Sequence, residues 1–457
     1  MTISPNSARR SPTHRLARVL ALAVALGAAV PAGAYPLDGF RETGISRLEA
    51  YRLAQDHLLK SHGLYDGSLL PTRQVKLRLS DQPDFKLPTP DPDFTRELEA
   101  LLDADSSNYG IAVLDLSDPK NPRYAEIGGS KIQNPGSVGK IAVALAWMQA
   151  LADLHPDDVE ARKRVLRESR ITANDFIITD EHVVPFWQPG DPRLVKRPIE
   201  QGDTANVWTY LDWMCSSSSN AAASMLMAHL MLLKHYGAAY PPSPEEADRF
   251  FRETSAREKS ALFLDAIRTP LTRNGLDLEK LRQGSFFTRR GKQLVSGTNS
   301  LATPRELLRF AVLMEQGKLV DAWSSLEIKR LLYLTDRRIR YVSSPALSDA
   351  AVYFKSGSLY SCKAEPGFVC EKYHGNVKNY MNSLAVVETT DKKHPLHYMS
   401  VVLSNVLRKN SAVEHQTLAT RIHRLIQANY DQALSSTIRT MTADPELREK
   451  AKEMLSR

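Results

Sequence analysis

Residues 134–151 read NPGSVGKIAVALAWMQAL, and two patterns meet in them. Asn134-Pro135-Gly136 is a turn signature. From Ile141 to Leu151 the chain is apolar on almost every helical face, which predicts a helix enclosed in a core rather than lying on a surface. Ser137 and Lys140 stand at the junction, spaced so that they share a face at a helix start. A serine hydroxyl attacks a carbonyl with the help of a base, and a neutral lysine can serve. An ordinary lysine titrates near about 10.4; burial and the positive end of the helix both favour its neutral form. The same helix start leaves the Ser137 N–H available to an oxyanion. The spacing alone is common. Ser117-Asp118-Pro119-Lys120 repeats it in a loop-like setting, and the bland reading of Ser137 is a plain helix-start serine.

Outward from this helix, Tyr109–Asp115 (YGIAVLD) and Tyr124–Ile127 predict a strand hairpin. Residues 155–210 are polar and irregular. Trp208–Leu232 predicts two helices broken around Cys215–Asn220, and Pro241–Asp265 a charged helix. Thr303–Gly317 predicts an amphipathic helix with Thr303 as cap, Pro304 in the first turn and Gly317 as stop. Strands return at Ala351–Cys362, Met381–Glu388 and His397–Leu403, and a helix follows from Leu418 to about Leu434. Strands near both ends with helices between them predict an α/β (α+β) two-lobed fold. One antiparallel sheet is built from both chain ends with flanking helices, and an all-helical lobe is inserted.

Two further clusters carry chemistry. In MCSSSSNAAASML, Ser218 and Asn220 sit in a turn between helices, where both side chains can aim into one cleft. Ser218 could relay a proton to a leaving group, while Asn220 could bind a substrate amide and hold Lys140. The bland reading is a polar helix cap, and Ser106-Ser107-Asn108 shows how common the pattern is. On the strand from Ala351, Lys355 can hold a substrate carboxylate with the Ser356 hydroxyl. Gly357 would let substrate backbone approach, and the Ser358 N–H could be a second oxyanion donor.

Ser137-x-x-Lys140, then Ser218-x-Asn220, then Lys355-Ser356-Gly357, in that order, resembles the signature of class A β-lactamases and penicillin-binding proteins. The runs SSSNAAASML and TNSLATPRELLRFAVLMEQGKL resemble the helices that flank those motifs, and the likeness spans about residues 105–430. The resemblance implies an acyl-enzyme on Ser137 with a β-lactam ring or a D-alanyl-D-alanine stem peptide of peptidoglycan. Lys140 would be the acylation base, Lys355 would meet the carboxylate, and no cofactor is implied. Departures are visible. The spacing of 81 residues from Ser137 to Ser218, and of 135 from Asn220 to Lys355, predicts insertions in the helical lobe. Ser219 replaces the middle Asp of class A. No Glu-x-x-Leu-Asn follows Asn220, so the glutamate class A uses for deacylation is missing; Glu245, Glu246 and Glu253 read as a solvated helix face.

Composition bounds the rest. The chain has 457 residues, 42% hydrophobic and 25% charged, as in globular proteins. Arg9, Arg10, Arg15 and Arg18 precede an apolar run from Val19 to Val30, and Ala32-Gly33-Ala34 offers a small-residue cleavage site. That is the pattern of a secretory signal, cleaved after Ala34, for a secreted or periplasmic product without stable membrane insertion. Without the four arginines of residues 1–34 the formal charge falls from +8 to +4. No basic tract interleaved with aromatics points to nucleic acid. The organisation expected is a signal peptide (1–34), a polar extension ending in the linker Leu87–Pro92 (35–95), with a helix from Arg47 to Lys60, the hydrolase domain (96–435) and a helical tail (436–457). Cys362 and Cys370 are close enough to staple a hairpin loop, leaving Cys215 as a buried thiol, and no metal-ligand spacing exists among the cysteines and histidines. The competing functions are an esterase on the same fold and a catalytically inactive wall-binding protein.

Overall fold

The computed structural model describes residues 37–60, 64–333, 338–390 and 395–443, so the expected signal segment and the chain beyond Ala443 lie outside the described residues. Its central sheet has five strands: β1 Tyr109–Asp115, β2 Arg123–Ile127, β3 Ala350–Ser361, β4 Lys378–Thr389 and β5 His397–Asn405. Their order is β2-β1-β5-β4-β3, and every pairing is antiparallel. Tyr109 lies opposite Ser404, so the first strand zips onto the last and the sheet is assembled from both ends of the chain.

Period-two alternation decides which side chains go where. Ala112 and Leu114 of β1, with Met399, Val401 and Leu403 of β5, face the helical lobe. Ile111, Val113, Tyr398 and Val402 face a second core closed by Phe94, Leu98, Leu418, Ile422 and Ile426. Both faces are therefore covered, unlike the common antiparallel sheet with one wet face.

The longer helices are α1 Ser46–Gln55, α2 Pro92–Glu99, α3 Lys140–Leu154, α4 Val159–Glu168, α5 Val207–Cys215, α6 Asn220–Tyr236, α7 Pro244–Glu253, α8 Ala256–Arg273, α9 Pro304–Glu315, α10 Ala322–Leu332 and α11 Ser411–Ala443. Helix α3 is the axis of the lobe, with Ile141 through Met148 buried without interruption. Thr303 caps α9 by accepting from the Glu306 N–H, and Gly317, at φ +73°, takes the left-handed position just beyond its end.

Four expectations shift. The region read as irregular, 155–210, contains α4, started by the Asp158 carboxylate accepting from the Ala161 N–H. The charged helix expected over 241–265 is two helices, each opened by its own capping box, Ser243/Glu246 and Ser255/Glu258. The first helix stops at Gln55, short of Lys60. The last helix begins at Ser411 rather than Leu418.

Residues 37–79 are not a loose arm. Leu37, Leu48, Tyr51, Val75 and Leu79 join the core of the helical lobe. Arg47 makes a fork-to-fork pair with Asp212 of α5, both contacts at 2.6 Å, with both residues buried. Truncating one partner of such a pair would strand the other charge, at a cost of about 3–5 kcal/mol. Cys362 and Cys370 form a disulfide at the tip of the β3–β4 hairpin, and Cys215 is a buried free thiol.

Candidate active site

The three sequence clusters meet where β3, the edge strand, passes the turn before α3. Gly136, at φ +55°, bends the chain into that turn, which holds Ser137 and leads into Lys140. The turn is moored to the sheet through Asn382, which accepts from Gln133 Nε2 at 2.6 Å and donates to the Asn134 carbonyl at 2.9 Å. Gly357 lies opposite Asn382 on β4. A Cβ at Gly357 would sit 2.3 Å from the Pro135 carbonyl and 2.6 Å from the Ser137 nitrogen. The missing side chain admits the turn that carries Ser137, packed directly on the strand. The same contact brings the backbone nitrogen of Ser358 beside that turn, 3.4 Å from where a Cβ on Gly136 would lie.

Lys140 is fully buried and donates to Ser137 Oγ at 3.1 Å, to the Ser218 carbonyl at 2.6 Å and to Asn220 Oδ1 at 2.8 Å. Its ammonium also lies 4.8 Å from the centre of the Phe287 ring. Ser218 adopts φ +60°, a conformation non-glycine residues rarely take. That backbone lets one residue serve two lysines, its carbonyl accepting from Lys140 and its Oγ from Lys355 at 2.8 Å. Lys355 also donates to the Ser356 carbonyl at 3.0 Å and is buried. Sequence clusters far apart in the chain thus form one hydrogen-bonded network, Ser137–Lys140–Ser218/Asn220–Lys355. The two decoys stay outside it: Ser106–Asn108 is a short turn before β1, and Ser117–Lys120 lies in the β1–β2 connection.

Several site residues carried no motif. Arg340 donates to the hydroxyls of Ser356 at 2.8 Å, Ser358 at 3.2 Å and Tyr373 at 3.0 Å, while its Nε is buried without a hydrogen-bond partner. The Ser356 hydroxyl therefore accepts from this arginine, and the cation stands beside the face where Lys355 and Ser356 were expected to meet a carboxylate. Ser219, the residue in place of the class A Asp, caps α6 and donates to Asp180 at 2.9 Å. Asp180 also accepts from the Ala221 N–H at 2.8 Å and contacts His182 Nδ1 at 2.6 Å. Burial pushes the Asp180 carboxyl up, but His182, the Ala221 N–H and Lys140 outweigh it and hold the group below the usual carboxylate range.

A cleft of about 250 Å³ opens over this network, with Ser137, Ser218, Asn220 and Ser358 on its wall. Gln283, Ser285, Phe286 and Phe287 form another side of it. Among the described residues lining it there is no Asp or Glu, whereas His182, Lys292, Arg340 and Lys372 are present. The glutamates weighed as deacylation candidates are elsewhere, on α7; Glu246 closes the capping box with Ser243. A serine held by a buried lysine, next to two backbone nitrogens and facing a cationic wall, can attack a carbonyl whose substrate carries a carboxylate.

A family model, the β-lactamase enzyme family, matches residues 93–393. Among the curated proteins none matches the sequence. Solved structures with a similar fold include PBP-A, at 14% identity and a TM-score of 0.44, covering 75% of this chain and 100% of that one. A β-lactamase from Chitinophaga pinensis DSM 2588 shares 17% identity at a TM-score of 0.44, covering 75% of this chain and 98% of that one. TLA-3 extended-spectrum β-lactamase shares 11% identity at a TM-score of 0.47, covering 73% and 98%. A mutant of PBP-A has been solved as an acyl-enzyme complex with penicillin G. With the family model matched over residues 93–393, the chain belongs to the β-lactamase enzyme family and has its serine-hydrolase fold.

Proposed function

We propose that this protein is an exported acyl-serine hydrolase that opens the amide of a β-lactam ring or of a D-alanyl-D-alanine stem peptide through Ser137. The observation that carries the reading is the contact of Lys140 Nζ with Ser137 Oγ at 3.1 Å, in a lysine that Asn220 and the Ser218 carbonyl hold in place. Neutral Lys140 takes the Ser137 proton as Oγ bonds the carbonyl carbon. The backbone N–H groups of Ser137 and Ser358 receive the oxyanion. Ser218 gives its hydroxyl proton to the leaving nitrogen as the C–N bond breaks, Lys355 passes a proton to the Ser218 Oγ in turn, and the proton taken up by Lys140 makes up that loss. Lys355 and Arg340 attract the substrate carboxylate, a geometry suited to the shared carboxylate of penicillins and D-alanyl peptides. Export rests on the basic front and apolar run of residues 9–30, and a disulfide between Cys362 and Cys370 fits an oxidising compartment.

The test is intact-protein mass after incubation with a labelled penicillin, with the wild type beside Ser137→Ala. An adduct on the wild type alone supports the reading, as does drug consumption that Ser137→Ala abolishes. Intact drug and an unmodified wild type would overturn it.

A further inference from the structure

We propose that His182, oriented by Asp180, is the general base that activates the deacylating water, taking the place of the glutamate the cleft lacks. This rests on the acyl-Ser137 reading above. Three observations carry it. No carboxylate is found among the described residues lining the cleft, and His182 lines it together with Ser137, Ser218 and Asn220. The imidazole is fixed rather than loose: Asp180 engages Nδ1 at 2.6 Å, which assigns the ring hydrogen to that atom and makes Nε2 the basic nitrogen. Asp180 is itself clamped to the start of α6 by Ser219 Oγ and the Ala221 N–H, the two residues that flank Asn220. The loop bearing His182 is thereby tied, through Asn220 and Lys140, to the nucleophile.

A second space, of about 410 Å³, adjoins the cleft and shares His182, Asn220 and Lys372 with it. The charged groups lining it are Asp180, Glu181 and Lys372. Its polar walls give water a path to the imidazole, whose side chain is one-third exposed. Asp180 and Glu181 favour the imidazolium that forms during the step, and Lys372 opposes it.

The step balances as ester hydrolysis. A water proton passes to His182 Nε2 while the water oxygen bonds the acyl carbonyl carbon. The C–Oγ bond to Ser137 then breaks, the imidazolium proton goes to Oγ, and a free carboxylic acid leaves. Asp180 is a positioning residue, since it acts only through the ring.

Rapid-quench mass spectrometry of the full-length protein with labelled benzylpenicillin separates adduct formation from adduct loss. For His182→Gln the expected result is acylation within about threefold of wild type and deacylation at least about a hundredfold slower, the usual share of a general base. The wild-type deacylation rate should rise with pH as the imidazole gives up its proton, and the variant should lose that rise. Added imidazole should restore part of the rate to His182→Ala, a rescue that a merely structural role would not show. Deacylation at the wild-type rate in His182→Gln, equal slowing of both steps, or a wild-type adduct whose loss is independent of pH would each overturn the proposal. A wild type that neither forms an adduct nor consumes the drug removes the Ser137 reading, and this inference with it, an outcome separate from the failure of His182 alone.

Discussion

Lys140 and Lys329 are both fully buried, yet their surroundings are opposite in kind. Lys329, on α10, sits against carboxylates, with Glu315 and Glu388 each at 2.6 Å and Arg78 completing the cluster on Glu388. Burial works against the ionisation of Glu388, but Lys329 and Arg78 hold its carboxyl down at about 2. Lys140 instead donates to a hydroxyl, a carbonyl and a side-chain amide. The first lysine, set between two carboxylates, ties α9, α10 and β4 together. The second is held at the site by these three neutral groups. Burial alone therefore does not distinguish the two lysines; the chemistry of the groups that hold them does.

That contrast can be broken at either end. Lys140→Ala should reduce the rate of penicillin acylation by at least about a thousandfold and leave the melting temperature within a few degrees. Acylation at the wild-type rate would remove Lys140 from the chemistry. Lys329→Met should do the reverse, lowering unfolding free energy by about 3–5 kcal/mol because two buried carboxylates lose their partner. Urea denaturation gives that value, and the acylation rate per folded molecule should not change.

A smaller effect sharpens the comparison with a buried base that is neither strut nor catalyst. His415 lies between Ser383 and Ser404, at 3.0 and 2.9 Å, and burial pushes its imidazole down to about 3. The unfolded chain takes up this proton below about pH 6.5 while the folded chain refuses it, so the stability it contributes is full above 6.5 and falls as pH drops toward 3. Denaturation curves should show a loss of about 2 kcal/mol from this group between about pH 6.5 and 5, and His415→Gln should flatten that slope. Smallest of all, Cys215 should resist alkylation in the native protein near pH 8, because burial pushes its thiol up to about 12. Cys362 and Cys370 should become alkylatable only after reduction, as mass spectrometry after iodoacetamide would show.

Much of this was legible in the sequence because it depends on short-range periodicity. The all-apolar run after Lys140 marks the lobe's axis, and the short apolar run in YGIAVLD marks a strand. Ser137 and Lys140 are linked by helical spacing alone. What stayed hidden came from loops with no motif of their own. Arg340 enters the site from a turn before β3, and Asp180 and His182 arrive from a stretch read only as polar and irregular. Arg47 reads as a surface charge until Asp212, 165 residues later, is folded against it. At Gly357 the atoms that would meet a side chain belong to Pro135 and Ser137, a proximity no local pattern reveals.

The pairing of Tyr109 with Ser404 bears on the order of events during synthesis. β1 leaves the ribosome long before the strand it needs, and no partner but β2 is available to it until β5 has been made. Helix α3 can form early, yet the turn holding Ser137 is completed only when Gly357 arrives to lie against it. The nascent chain thus carries Ser137 for more than two hundred residues before Gly357 is made; a truncation before β3 leaves that turn unfinished, and one before β5 leaves β1 without its main partner.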